Sequence, residues 1–124
     1  MFTEFGKLLR KARIDRGLLL KDMAEGLGVS SAYLSAVETG KKTVTDELSR
    51  KVAGYLGIDL SSPEYLELED AVQVTRGQIA IEMKGLSQRH QETALAFARQ
   101  FGEMQPTDLD KLLALLNETK KKEM

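Results

Sequence analysis

Residues 20–39 have the sequence LKDMAEGLGVSSAYLSAVET and constrain the fold more than any other stretch. We interpret this stretch as two short helices joined by a tight turn. The first helix has an apolar face with residues spaced three and four apart, as a helix of 3.6 residues per turn requires. The members of that face are Leu20, Met23, Ala24 and Leu27. Gly28 then predicts the end of the helix, because glycine adopts the left-handed conformation without a Cβ penalty.

The second helix of this stretch has two unlike faces. Leu34 and Val37 are three residues apart and are predicted to face inward. The opposite face carries small or hydroxyl-bearing residues with one aromatic: Ser31, Ala32, Tyr33, Ser35, Ala36 and Thr39. An exposed structural helix usually presents long charged side chains to water, whereas this face is low and uncharged. Such a face fits the floor of a DNA major groove, which is wide enough for an α-helix.

The pattern as a whole resembles the helix-turn-helix of the Cro and lambda-repressor-like family, also called the XRE family. The resemblance extends over about residues 5–58 and is specific because several independent positions agree. The positions that carry it are Ala24, Gly28, Val29, Leu34, Val37 and Glu38, followed by Thr39, Gly40, Lys41 and Lys42. It implies an all-α fold in which a five-helix DNA-binding domain precedes further C-terminal helices.

The resemblance also implies roles for individual residues. Base edges would be contacted by Ser31, Ala32, Tyr33, Ser35 and Ala36. DNA phosphates would be contacted by Ser30, Thr39, Lys41, Lys42 and Thr43, with the lysines releasing counterions from the duplex. Arg13 of the first helix would form a structural pair with Glu38, because a guanidinium can hold a carboxylate through two parallel bonds.

The start of the second helix departs from the family pattern. Leu19 and Leu20 stand where the family usually has a capping Ser or Thr and a Gln. That Gln normally touches a phosphate and braces the recognition helix, which a leucine cannot do. Two explanations remain open: the chain has lost a polar anchor, or an apolar neighbour covers Leu20.

Composition narrows the class of protein further. The chain has 124 residues and a net charge of −1, with ten Lys and Arg against eight Asp and Glu in residues 1–60 and eight against eleven in residues 61–124. The basic excess therefore lies in the half that carries the motif. The sequence contains no cysteine, which excludes disulfides and cysteine chemistry. We expect a cytoplasmic protein with no membrane span, metal, cofactor or enzymatic activity, in which His90 is an ordinary surface residue.

The second half predicts helices of its own. Ser62 and Pro63 open a fifth helix that extends to about residue 76. Residues 79–83 alternate weakly and predict either a short strand, which would have to pair across a dimer, or a helical turn. Two further helices have apolar stripes with little else in the chain to bury them, which indicates dimerisation. The stripe residues are Phe97, Phe101, Leu109, Leu112, Leu113 and Leu116.

These observations predict a DNA-binding domain in residues 1–60, with a fifth helix extending to 76, and a helical region in 61–124 for dimerisation or partner binding. The expected function is a transcriptional regulator, most simply a repressor that binds double-stranded palindromic DNA as a homodimer. Two alternatives stay open: an antitoxin that grips a toxin and represses its own operon, or a module of the same fold that bridges proteins. The sequence does not specify the operator, the regulated genes or an inducer.

Overall fold

The structure is a computed structural model that describes residues 1–122 and contains seven α-helices within that range. The chain divides into two compact units, Met1–Ala80 and Ile81–Met124, which we describe separately. The all-α class expected from the sequence is confirmed. Unit 1 contains α1 Glu4–Arg16, α2 Leu20–Leu27, α3 Ser31–Glu38, α4 Asp46–Leu56 and α5 Pro63–Arg76.

Local sequence signals set the helix ends of unit 1. The side chains of Thr3, Ser30, Thr45 and Ser62 each accept a hydrogen bond from a backbone N–H in the first turn of the helix that follows. These bonds satisfy donors that have no partner within the helix. Gly28 follows α2 with φ +72°, a left-handed conformation that ends the helix as the sequence predicted.

The core of unit 1 draws on all five helices. Its fully buried side chains include Phe5, Leu9, Met23, Leu34, Val37, Val44, Val52 and Leu68. Helix α1 packs against both α3 and α5, and α2 packs against α3 and α4. The fifth helix, which the sequence analysis allowed to extend to residue 76, is thus part of this unit. The backbone N–H of Phe5 donates to the Thr75 hydroxyl at 2.9 Å, so unit 1 continues to Ala80.

Unit 2 begins with residues 81–87, which form no helix or strand and include a turn at Lys84 and Gly85, and it contains two helices. These are α6 Gln88–Gln100, which continues into a 3₁₀ turn Phe101–Glu103, and α7 Pro106–Lys122. Residues 79–83 form neither the strand nor the helical turn that the sequence allowed. The amide N–H of Ala80 instead donates to the side-chain oxygen of Gln73 at 3.2 Å. Within one chain, residues 79–83 have no neighbouring strand to pair with, so no ladder forms.

Candidate nucleic-acid interface

Helix α3 presents a shallow surface because its bulky side chains point into the core. Leu34 and Val37 are fully buried, whereas Ser31 and Ala32 are exposed. Ser30 caps the helix by accepting from the Tyr33 N–H at 3.0 Å. Since the capping oxygen acts as an acceptor, the Ser30 hydroxyl hydrogen stays available to a phosphate oxygen.

The five residues predicted to contact bases differ in how far they project. Ser31 and Ala32 are exposed, whereas Tyr33, Ser35 and Ala36 are half-buried. Tyr33 also packs against the hydrophobic core, so part of its ring supports the fold. The other four side chains are short and make few direct bonds to base edges. Recognition by this face would therefore depend on methyl contacts, bridging water and DNA shape.

A buried ion pair fixes the C-terminal end of α3. Arg13 donates through both terminal nitrogens to the Glu38 carboxylate, with Nη2 to Oε1 at 2.9 Å and Nη1 to Oε2 as the second contact. Glu38 is 1% exposed and Arg13 is 7% exposed. The structure thus brings together the two residues predicted to pair. The parallel geometry locks the orientation of α3 relative to α1 as well as neutralising both charges.

Thr3 and Gly6 hold the same helix end from the backbone side. The N–H and the hydroxyl of Thr3 both donate to the Glu38 carbonyl oxygen, at 3.0 and 3.1 Å. Gly6 lies so close that a Cβ built on it would be 2.1 Å from that oxygen. These roles were not predicted from the sequence. A glycine inside a helical pattern was the available signal, because glycine has no Cβ and so permits a close approach of two backbones.

The loop after α3 carries the residues predicted to contact phosphates. The backbone N–H groups of Lys41 and Lys42 donate to the Ala36 carbonyl at 2.8 and 3.1 Å, which caps α3. Both lysine side chains are exposed, and neither forms an ion pair within residues 1–122. Thr43 is exposed beside them. Thr39 differs, because its hydroxyl donates to the Ser35 carbonyl at 2.9 Å.

Arg76 at the end of α5 anchors the far side of this loop. Its Nε donates to the Val44 carbonyl at 2.9 Å, and its Nη2 donates to Asp46 Oδ1 at 2.8 Å. The hydrogen bond from Arg76, together with its positive charge, lowers the pKa of the Asp46 carboxyl from its ordinary value. Val44 is buried, so the loop is held at a fixed point directly after the exposed lysines. Sequence spacing gave no signal for a contact across 32 residues.

The start of α2 answers the question left open by Leu19 and Leu20. Leu19 is 61% exposed and offers no side-chain cap, while Leu20 is half-buried against the core. The core therefore covers Leu20, which is the second of the two explanations that the sequence left open. Asp22 accepts from the Leu19 N–H at 2.9 Å, which supplies half of a capping arrangement from inside the helix.

The residues predicted to mediate dimerisation lie in unit 2 with much of their surface accessible. The rings of Phe97 and Phe101 contact each other with centroids 5.1 Å apart. Leu113 and Leu116 are 58% and 55% exposed, and Phe101 is 49% exposed. The remaining members, Phe97, Leu109 and Leu112, are half-buried.

Comparison with known proteins bears on this geometry. Residues 9–62 match the protein family described as Helix-turn-helix. The chain is also similar to a cyanate hydratase of Pseudomonas paraeruginosa, with 38% identity over 52 residues. That match covers 42% of this chain and spans only 32% of the hydratase. None of the solved structures matches the chain.

The described residues also bear on membranes and metals. Within residues 1–122 no helix has the length and apolar character needed to cross a membrane. Over the same range, no group of three or more potential metal ligands comes together. The family match begins within α1 and includes α2, the turn and α3, so it contains both members of the buried Arg13–Glu38 pair and the shallow exposed face. Residues 9–62 therefore belong to a helix-turn-helix domain of the Cro and lambda-repressor-like family.

Proposed function

We propose that this protein is a sequence-specific transcriptional regulator that inserts α3 into the major groove of double-stranded DNA. The observation that carries the proposal is the exposed small face of α3, which Arg13 and Glu38 hold rigidly from the buried side. A rigid helix loses little conformational freedom on binding, and its low surface allows close approach to base edges.

The phosphate contacts would come from the edges of this face. Lys41 and Lys42 project from a loop whose backbone is fixed by α3 on one side and by Arg76 on the other. Ser30 offers a hydroxyl at the opposite end of the helix. Contacts at both ends would set the register of α3 along the groove, while the face between them distinguishes sequences.

We further propose that the protein is a repressor that acts as a homodimer on a palindromic operator in the cytoplasm. One helix contacts only a few base pairs, so a useful operator needs two copies of α3 about one helical turn apart. The exposed apolar residues of unit 2 supply a surface that would hold two copies together. The protein would act by binding and not by catalysis. Bound over a promoter, such a dimer would exclude the transcription machinery.

A titration of DNA binding at several salt concentrations tests the proposal. Operator sequences are first selected from random duplexes, and binding is then measured for the wild type and for Lys41→Ala and Lys42→Ala. Each variant should weaken specific and non-specific binding about equally and lower the salt slope by about 1. The control is Lys11→Ala. Lys11 is a residue of α1 that lines a cleft between α1 and α5, on a different surface of unit 1 from the loop after α3.

Three outcomes would count against the proposal. The selection could yield no sequence bound more tightly than random DNA. The two loop variants could keep the wild-type salt slope. The Lys11→Ala control could lower the slope as much as they do. The first outcome would favour the alternative in which the fold serves as a protein-bridging module, with or without a toxin as its partner.

A further inference from the structure

Unit 2 is small, and its helices have no buried core. Neither α6 nor α7 contains a buried residue. Unit 1, in contrast, buries fourteen hydrophobic side chains, among them Phe5, Leu34 and Leu68. Isolated helices of this length are marginal in water, so packing must supply most of their stability. Within one copy of unit 2, the described residues do not provide that packing.

Small units usually obtain the missing stability from a disulfide, a metal ion or association with another chain. The sequence contains no cysteine, so a disulfide is excluded. Among residues 1–122, no cluster of metal-ligating side chains is present. Association is the remaining source.

The exposed area is large enough for such an association. The chain exposes 9491 Å² of surface. Two separately folded units of these sizes would together expose about 7,900 Å² according to the scaling for compact proteins. The excess is comparable to the total of about 1,600 Å² that a standard stable interface buries, of which each partner contributes half. One chain therefore carries more surplus surface than a stable dimer requires of it.

Unit 2 contains an apolar groove that could receive a partner. This groove has a volume of about 700 Å³ and lies between residues 81–87, α6 and α7. Its apolar walls include Ile81, Met83, Leu86, Phe97, Leu112 and Leu116. Ile81 and Leu86, 57% and 40% exposed, belong to the non-helical residues 81–87, which were not predicted to take part in dimerisation.

The same unit also exposes apolar side chains that do not line the groove. Leu113 and Leu115 of α7 are each 58% exposed. A twofold interface is self-complementary, since each copy presents the same patch to the other. A unit that carries both an apolar groove and further exposed leucines meets that requirement, whereas an unrelated partner would have to supply its own matching surface.

We infer that unit 2 acquires its stable fold only by pairing with unit 2 of a second copy, with residues 81–86 as part of the interface. The inference deepens the homodimer of the proposed function by naming its surface and by coupling its folding to association. Unit 1, which has its own core, stays folded in the monomer. The fraction of DNA bound would consequently rise steeply with protein concentration, because each unpaired copy carries a single recognition helix.

Sedimentation and amide hydrogen exchange, both without DNA, test this inference on the full-length chain. The wild type should be a dimer at about 100 μM, with protected amides in α6 and α7. Leu116→Glu places a charge in the groove wall and should raise the dimer dissociation constant at least about 100-fold. In the resulting monomer, protection in α6 and α7 should be lost, while that in α1 to α4 should persist. The matched control is Leu66→Glu, since Leu66 is 64% exposed on α5 of unit 1.

The contradicting results are equally specific. A wild type that is monomeric at about 100 μM would overturn the second copy as the occupant of the groove. A Leu116→Glu monomer that keeps protected amides in α6 and α7 would overturn the coupling of folding to association. A Leu116→Glu protein that remains as dimeric as the Leu66→Glu control would place the interface elsewhere. Because no DNA is present, none of these results depends on the proposed recognition of an operator.

Discussion

At the scale of single residues, Glu38 does two jobs at once. Its carboxylate pairs with Arg13, and its backbone carbonyl accepts from Thr3. The side chain is 1% exposed, so the pair is screened very little by water. A buried pair of this kind is weak evidence for net stability, but removal of one partner leaves an uncompensated buried charge. The role of Glu38 is thus to specify the position of α3.

We predict that Glu38→Ala lowers the free energy of unfolding by about 3 kcal/mol, because the Arg13 guanidinium loses its partner. Chemical denaturation of Arg13→Ala, Glu38→Ala and the double variant measures the coupling energy between the two residues, which should exceed about 1 kcal/mol. The control is Glu47→Ala, since Glu47 pairs with Lys51 at 3.4 Å on the surface of α4. That change should cost under about 0.5 kcal/mol. Additive effects of Arg13→Ala and Glu38→Ala would refute the pairing.

Gly6 provides a second prediction at this scale. Alanine normally stabilises a helix interior by about 1 kcal/mol relative to glycine. At Gly6 the added Cβ would lie 2.1 Å from the Glu38 carbonyl oxygen, so a backbone must move. Gly6→Ala should therefore destabilise the protein by about 1–3 kcal/mol. Gly54→Ala in α4 is the matched control, because nothing lies within 4 Å of its added Cβ and the change should stabilise. Equal effects of the two changes in denaturation would contradict the close approach.

At the scale of elements, α3 combines a buried side that determines stability with an exposed side available for binding. Leu34 and Val37 are fully buried, whereas Ala32 is exposed. The two roles can be separated experimentally, since a change on the exposed side leaves the core intact. Surface substitutions of this kind usually alter stability by no more than about 0.5 kcal/mol.

We predict that Ala32→Glu abolishes sequence-specific DNA binding while the melting temperature stays within a few degrees of the wild type. The longer side chain would collide with the groove floor, and its charge would face phosphates. Gln78→Glu adds the same charge at an exposed position after α5 and should bind nearly as the wild type does. Operator titrations and thermal melts of both variants provide the comparison. Unaltered operator affinity of Ala32→Glu would mean that α3 is not the recognition helix.

The sequence predicted those elements whose signals are local. The helix start at Ser62, the stop at Gly28 and the inward pair Leu34 and Val37 all lie within a few residues of the helix they define. The pairing of Arg13 with Glu38 crosses 25 residues and was accessible only through resemblance to a family.

Contacts made by the backbone were beyond sequence reasoning. Arg76 donates to the carbonyl of Val44, and a carbonyl carries no mark of residue type. The hydroxyl of Thr75 accepts from the backbone N–H of Phe5, and a backbone N–H likewise carries no mark of residue type. The strand considered for residues 79–83 does not form, for a different reason. Alternating residues favour a strand but cannot supply the neighbouring strand that it needs.

At the scale of the whole molecule, the two units divide the work. Unit 1 contains the helix-turn-helix and a complete hydrophobic core. Unit 2 carries apolar surface that one copy leaves exposed, including Leu113 and Leu116. Under the proposed function, the protein would bind an operator tightly only as two copies, since each copy would contribute one α3.

The most direct test of this account is a hydroxyl-radical footprint of the full-length protein on an operator selected from random DNA, with stoichiometry measured in parallel. We expect two protected half-sites related by a twofold axis, with centres about 34 Å apart, and two protein chains per duplex. The footprint should disappear with Ala32→Glu. Protection of a single site by one chain, or no protection distinguishable from that of random DNA, would contradict the account.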